Sequence, residues 1–193
     1  VAAPAIAAPA QRAARVAGRA MIVRPFKDKV PKIAASAFIA DGVVIIGDVE
    51  IGEQASIWYN CVLRADVGMI RVGARSNVQD GSCLHMTSEL SHAIIGEEVT
   101  VGHNAIVHGA TVHDGALIGM GAILLDKAVI GAESLVAAGT VVPPRMVVPP
   151  YSMVRGQPAR VMRELNERER LEGRRGAVHY LELAAEHAKL TAK

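Results

Sequence analysis

The chain has 193 residues, a formal net charge of +2, half of its residues apolar (51%) and only 3% aromatic. The near-neutral charge gives no electrostatic footing for nucleic acid or an anionic membrane surface. Two cysteines, Cys61 and Cys83, without C-x-x-C spacing exclude a disulfide scaffold and point to small buried residues in a reducing, cytoplasmic setting.

One domain is the reading that this length favours, with Val, Ile, Ala and Gly supplying a narrow core of small and β-branched residues. The richest apolar run is broken by Pro143, Pro144, Pro149 and Pro150, and no run reaches the roughly 20 residues of a membrane span.

Residues 1–20, VAAPAIAAPAQRAARVAGRA, precede Met21 and contain Arg but no acid. Translated sequence upstream of a start, a disordered extension and an organelle-targeting segment are all compatible with this composition. A disordered extension is favoured, and the fold is expected from residue 21.

Apolar residues then recur six apart at Ile33, Ile39, Ile45, Ile51, Ile57 and Leu63. After an insertion of three the phase resumes at Val72, Val78 and Leu84, and after a longer one at Ile95, Val101 and Val107. One step of five reaches Val112, and steps of six run on through Ile118, Leu124, Ile130, Val136, Val142, Val148 and Val154. Neither the helical period nor the strand period explains a fixed spacing of six; a structural repeat does. Gly often follows the apolar residue, at Gly52, Gly73, Gly96, Gly102, Gly119 and Gly131, and is read as tolerating positive φ at a corner. Small residues recur four after it, at Ala55, Cys61, Ala105 and Ala122. The pattern predicts an all-β solenoid, a left-handed parallel β-helix over residues 21–160.

A helical segment over 161–193 follows. Asn166 and Glu169 form a capping box ahead of a charged helix, interrupted by Gly173 and Gly176, with Val178, Leu181, Leu183, Ala184 and Leu190 as its apolar stripe. Such a helix is expected along the outside of the solenoid or at a subunit boundary, or else as a cap on its open end.

The register turns histidines into geometry. His85 follows Leu84 and His108 follows Val107, one full coil later, so the two stack on one face about 4.8 Å apart. Imidazoles at that spacing can converge on one zinc ion. His103, two residues after Val101, lies across a corner, so a three-histidine site requires His103 from a neighbouring molecule, and a three-sided prism points to a homotrimer. Arg64 stacks beneath His85, with Asp66 two residues on; Asp80 falls beneath His103, with Gln79 beside it. Three histidine ligands with an open fourth position are the pattern of catalytic zinc, which lowers the pKa of bound water to about 7. His92, His113, His179 and His187 are read as surface residues. Arg64 and Asp66 equally suit an ion pair across a subunit interface.

VLRADVGMIRVGARSNVQDGSCLH followed by VTVGHNAIVHGATV resembles the gamma-class carbonic anhydrases and their close bacterial relatives, over roughly Met21 to Arg160. The resemblance implies reversible hydration of CO2 to bicarbonate, with zinc (iron or cobalt in some members) at trimer interfaces. His85 and His108 would come from one subunit and His103 from the next. It also implies that Gln79 and Asp80 contact or orient the metal-bound water, that Arg64 and Asp66 form the interface pair near bicarbonate, and that Tyr180 matches an active-site tyrosine. Two departures bear on rate: Val67 stands where fully active members carry glutamate, and the loop after His85 is only MTSELSHA, with Glu89 and His92 as its proton-handling groups. The alternatives are a hexapeptide-repeat acyltransferase, a metal-dependent thioesterase and a low-activity scaffold homologue.

Overall fold

A computed structural model describes residues 20–191. The expectation for the first 20 residues therefore lies, apart from Ala20, outside the described residues. The chain folds as the left-handed parallel β-helix of about seven turns that the rhythm predicts, with a C-terminal helix.

Each coil lays one short strand on each of three faces, and the coils pair in parallel. On the first face the outward column runs Val62, Cys83, Ile106, Ile123, Val141. The inward column beside it runs Leu63, Leu84, Val107, Leu124, Val142, all fully buried. The second face stacks Ile51, Val72, Ile95, Val112, Ile130 and Val148 in the same way. The third is an eight-stranded sheet in which Ile57, Val78, Val101, Ile118, Val136 and Val154 point inward. Its last strand, Ala159–Glu164, turns back antiparallel on Ser152–Gly156. A six-residue step thus holds one outward and one inward strand residue plus a four-residue corner. Fully burying each inward Val, Leu or Ile contributes about 1.5–3 kcal/mol.

The insertions are absorbed without breaking the stack. Val62–Val72 is one continuous strand that pairs with Cys83 and Leu84 at one end and with Ala93–Ile95 at the other. Its middle meets the next insertion, residues 86–92: the Met69 amide donates to His92 Nδ1 at 3.3 Å, and Met86 is buried.

Two expectations about glycine are corrected. Gly52, Gly73, Gly96, Gly102, Gly119 and Gly131 are not the positive-φ positions. They are required by close approach: a Cβ on Gly52 would lie 2.8 Å from the Ala74 nitrogen, and one on Gly102 2.8 Å from the Met120 nitrogen. Left-handed residues occupy other corner columns: one runs Asn60, Gly81, Asn104, Gly121 and Gly139, with φ between 54° and 71°, and another runs Gln54, Arg75, Glu98, Gly115 and Glu133. Asn and Gly are the residues that occupy this region at least cost.

Gly173 and Gly176 likewise do not interrupt the helix. After α1 (Glu167–Arg170), α2 runs unbroken over Glu172–Thr191 and packs along the third face rather than over an open end. Cβ atoms on these glycines would lie 2.7 Å from the Ala116 carbonyl carbon and 3.1 Å from Thr100 Cγ2. The buried stripe is Gly173, Ala177 and Ala184, flanked by half-buried Tyr180, Leu181, Leu183 and His187; Val178 and Leu190, expected in the stripe, lie outside it, 57% and 67% exposed. The capping box is formed: the Glu169 amide donates to Asn166 Oδ1 and the Asn166 amide to Glu169 Oε2, both at 3.0 Å.

Two predictions follow from these features. Gly73→Ala, whose Cβ would sit 2.7 Å from the Glu97 nitrogen, should cost about 1–3 kcal/mol in chemical denaturation. Gly121→Asn, in an open left-handed corner whose column already contains Asn60 and Asn104, should be close to neutral. Separately, Arg163 and the Asn166 amide hold the Glu169 carboxyl down at about 2, against an ordinary 4.5. A carboxyl depressed by folding stabilises above its unfolded pKa, and that contribution is lost as pH falls through the folded value. The melting-temperature gap between wild type and Glu169→Gln should therefore be present at neutral pH and close between about pH 4.5 and pH 2.

Candidate metal centre

The first face has two edges, and the residues singled out by the sequence divide between them. At the exit edge, His85 and His108 end adjacent strands and pair directly in register. Their rings lie 5.4 Å apart, centroid to centroid, inclined at 60°. His85 Nε2 meets Asp66 Oδ1 at 3.0 Å, and Asp66 Oδ2 accepts a short contact from Arg64 Nη1. Burial raises the Asp66 carboxyl, but hydrogen bonding with His85 and Arg64 outweighs it and holds the group below the ordinary carboxylate range. The Arg64–Asp66 pair is thus made within one chain.

At the entry edge, in the corner between the third and first faces, His103 Nδ1 meets Asp80 Oδ2 at 2.8 Å. Its Nε2 lies 3.4 Å from the Tyr180 hydroxyl on α2. Burial first, and the Asp80 charge second, raise the Tyr180 hydroxyl above its ordinary range, so it is protonated at neutral pH. Gln79 is buried (6% exposed). Its Nε2 donates to Asn77 Oδ1 at 3.1 Å, Asn77 Nδ2 donates to Thr100 Oγ1 at 3.0 Å, and Thr100 donates to the Gly173 carbonyl at 2.8 Å. A run of three hydrogen bonds therefore fixes the Gln79 amide from the terminal helix.

Within one chain the structure gathers Arg64, Asp66, His85 and His108 in one group and Gln79, Asp80, His103 and Tyr180 in another. Among the described residues no cluster of three or more His, Cys, Asp or Glu could hold a metal ion. The donors do suit a shared metal: two stacked imidazoles at one edge and a third at the other, each beside a carboxylate that can orient it.

Register missed three features. Asp126 Oδ2 lies 3.4 Å from His108 Nδ1 and accepts from Thr87 Oγ1 at 2.9 Å, while its Oδ1 accepts from Ser91 Oγ. Burial raises its carboxyl, but the Ser91 and Thr87 hydroxyls together with His108 hold it low and ionised. One more step along the stack would have found it, because Val107 pairs with Leu124, two residues before Asp126. His187, read as a surface residue, is half-buried; its Nδ1 lies 2.8 Å from the Tyr59 hydroxyl and its ring 5.0 Å from that of Trp58. Trp58 also meets Tyr180 edge-on at 5.0 Å, and four of the six aromatic residues, Phe38, Trp58, Tyr59 and Tyr180, gather here to seat α2. Of the cysteines, Cys61 is buried as expected, with its thiol pushed up to about 12 by burial. Cys83 is only half-buried, in the outward column of the first face.

The repeat and this topology define a hexapeptide-repeat β-helix protein. No family model matches the chain. It is 49% identical to the carbonic anhydrase of Geobacillus kaustophilus over 146 residues, covering 76% of this chain and 80% of that protein. It is 48% identical over 171 residues to the mitochondrial gamma carbonic anhydrase 3 of Arabidopsis thaliana, covering 86% of this chain and 66% of the relative. The chain spans just under two thirds of the length of the plant relatives that it matches. A solved Bacillus cereus structure, described provisionally as an acetyltransferase, superposes with a TM-score of 0.86 at 44% identity, covering 89% of this chain and 99% of that one. The chain belongs to the gamma carbonic anhydrase family.

Thr100 is the hinge of the hydrogen-bond run between α2 and Gln79. Thr100→Val keeps the shape but leaves the Asn77 amide and the Gly173 carbonyl without their partner. A loss of about 1–3 kcal/mol in denaturation and faster amide exchange across the first half of α2 are expected, measured by hydrogen–deuterium exchange.

Proposed function

We propose that the chain hydrates carbon dioxide reversibly to bicarbonate at a metal shared between neighbouring copies in a homotrimer. The observation that carries this reading is the split of the histidines between the two edges of one face, with His85 and His108 stacked at one and His103 at the other. Between the edges lies the outward column Val62, Cys83, Ile106, Ile123 and Val141, apolar throughout and with Ile106 38% exposed. The terminal helix packs on the third face and not on this one. A flat apolar stripe rimmed by polar groups suits a second copy, and cyclic symmetry brings the exit edge of one copy to the entry edge of the next.

Three imidazole donors suit zinc, and also ferrous iron or cobalt. Such a metal, when bound, lowers the pKa of a water that it holds to about 7. Around it the protein's own groups have separate tasks. Asp66 and Asp126 orient the stacked pair, while Asp80 holds His103 through Nδ1 and leaves Nε2, 3.4 Å from the Tyr180 hydroxyl, as the nitrogen that would ligate. Gln79, anchored through its nitrogen, offers its amide oxygen to orient an attacking water. Arg64, partly exposed beside Asp66, supplies positive charge for the bicarbonate anion. Val67 is exposed and apolar, and Thr87 and Ser91 of the short loop are committed to Asp126. Glu89 and His92 are the exposed groups left in the loop to carry protons, so proton export is slower and turnover falls below that of members with a long acidic loop.

Acetyl transfer is the second reading, favoured by the description of the Bacillus cereus structure. It needs no metal, so metal-free protein that moves acetyl groups from acetyl-CoA would replace the first reading.

Subunit mixing tests the shared site. Homotrimers of His103→Ala and of His85→Ala should each lose CO2 hydration and bound metal. Refolded together in equal amounts, they should regain roughly a quarter of the sites by random assortment, in stoichiometry and in rate. No recovery in a mixture shown to form mixed trimers would sink the intersubunit site.

A further inference from the structure

In the loop after His85, Ser88, Glu89 and His92 are exposed, whereas Thr87 and Ser91 are tied to one carboxylate. Thr87 Oγ1 donates to Asp126 Oδ2 at 2.9 Å, Ser91 Oγ makes a short bond to Asp126 Oδ1, and the Thr87 amide lies 3.3 Å from Ser91 Oγ and 3.4 Å from Asp126 Oδ1. The Asp126 side chain is only 20% exposed, and its Oδ2 faces His108 Nδ1 at 3.4 Å.

The backbone beside His108 is built around this unit. Gly109, at φ +65°, donates its amide to the His85 carbonyl at 2.8 Å and accepts from the Lys127 amide at 2.7 Å. A Cβ there would lie 2.7 Å from Ser91 Cβ and would collide with Ser91 Oγ and Asp126 Oδ1. Three consecutive coils therefore converge on one carboxylate: the coil of His85 through its loop, the coil of His108 through Gly109, and the coil of Asp126 itself.

We propose that Asp126 is a positioning residue for His108: it accepts the Nδ1 proton, so that the neutral ring presents Nε2 as its donor atom. The Thr87 and Ser91 hydroxyls set the direction of the carboxylate, which makes the loop after one histidine the brace for the next. The proposal deepens the shared-metal reading and rests on it, because a fixed tautomer matters only if His108 is a ligand. A ring free to present either nitrogen would lose affinity by binding in a mixture of geometries. Carboxylates in this position are worth roughly 10–100-fold in metal affinity.

The tautomer is read directly in metal-free wild type by long-range proton–nitrogen correlation on histidine-labelled protein, with Asp126→Ala and Asp126→Asn alongside. His108 protonated on Nδ1 in wild type is the expected result; protonation on Nε2, or an even mixture, overturns the proposal, whether or not any variant folds. In Co2+ titrations of the full-length protein, Asp126→Ala should bind roughly 10–100-fold more weakly with a broadened visible spectrum. Asp126→Asn, which keeps an acceptor oxygen, should recover most of that loss. A folded, trimeric Asp126→Ala with wild-type affinity and spectrum overturns the proposal. His108→Ala separates the two layers: if it too binds Co2+ as wild type does, the metal-site reading itself fails. If it loses binding while Asp126→Ala does not, only the positioning role falls.

Discussion

The fold depends on parallel pairing of each coil with the next, in register. Once Val107 pairs with Leu84 and Val101 with Val78, every side chain of a coil has an assigned neighbour above and below. Inward residues must then form columns that fill a prism of constant width, and the answer is Leu, Val and Ile with Ala or Cys at the corners. The same pairing brings corner backbones into contact, so the residue after each inward apolar position is often glycine. The histidine pair obeys this constraint too. His85 and His108 are neighbours because Leu84 and Val107 are.

Because the stacking rule is arithmetic, whatever obeys it was legible in the sequence. The three faces, the His85–His108 pair, the corner separating His103 from it and the placement of Asp80 beside His103 all came from counting sixes. What escaped was set by packing, not by count. Glycine at 52, 73 and 102 looked like a conformational choice, and its cause is a neighbouring backbone visible only when coils are laid together. Gly173 and Gly176 looked like helix breakers; they let α2 sit close on Ala116 and Thr100. With glycine as part of the contact surface, the buried stripe turns to Ala177 and Ala184 and leaves Val178 outside. His187 was unreadable because nothing in its neighbourhood of the sequence announces Trp58 and Tyr59, more than a hundred residues earlier.

The three faces have divided their labour. The third carries polar and small outward residues, Ser56, Asn77 and Thr100, which hydrogen-bond with neighbouring side chains and, through Thr100, with α2. That contact reaches Gln79 through Asn77, and Tyr180 on the same helix reaches His103. The first face carries Val62, Cys83, Ile106, Ile123 and Val141 outward, and the terminal helix packs on the third face instead. The terminal helix therefore has a place in the function reading that its sequence position does not suggest. It ties Gln79 through Asn77 and Thr100, brings the Tyr180 hydroxyl to His103, and lies on a different face from the apolar column.

The short loop after His85 also changes meaning. By length it is a deficit, since Glu89 is its single acidic residue for taking protons away. In three dimensions its hydroxyls are bound to Asp126, and Asp126 faces His108. A side chain held in one orientation by several hydrogen bonds is poorly suited to swing between a site and solvent, and well suited to fixing the ring in front of it. Orientation and proton traffic thus compete for the same few residues. In this chain the geometry of Thr87, Ser91 and Gly109 serves orientation, and only Glu89 and His92 are left exposed in the loop to pass protons to dissolved buffer.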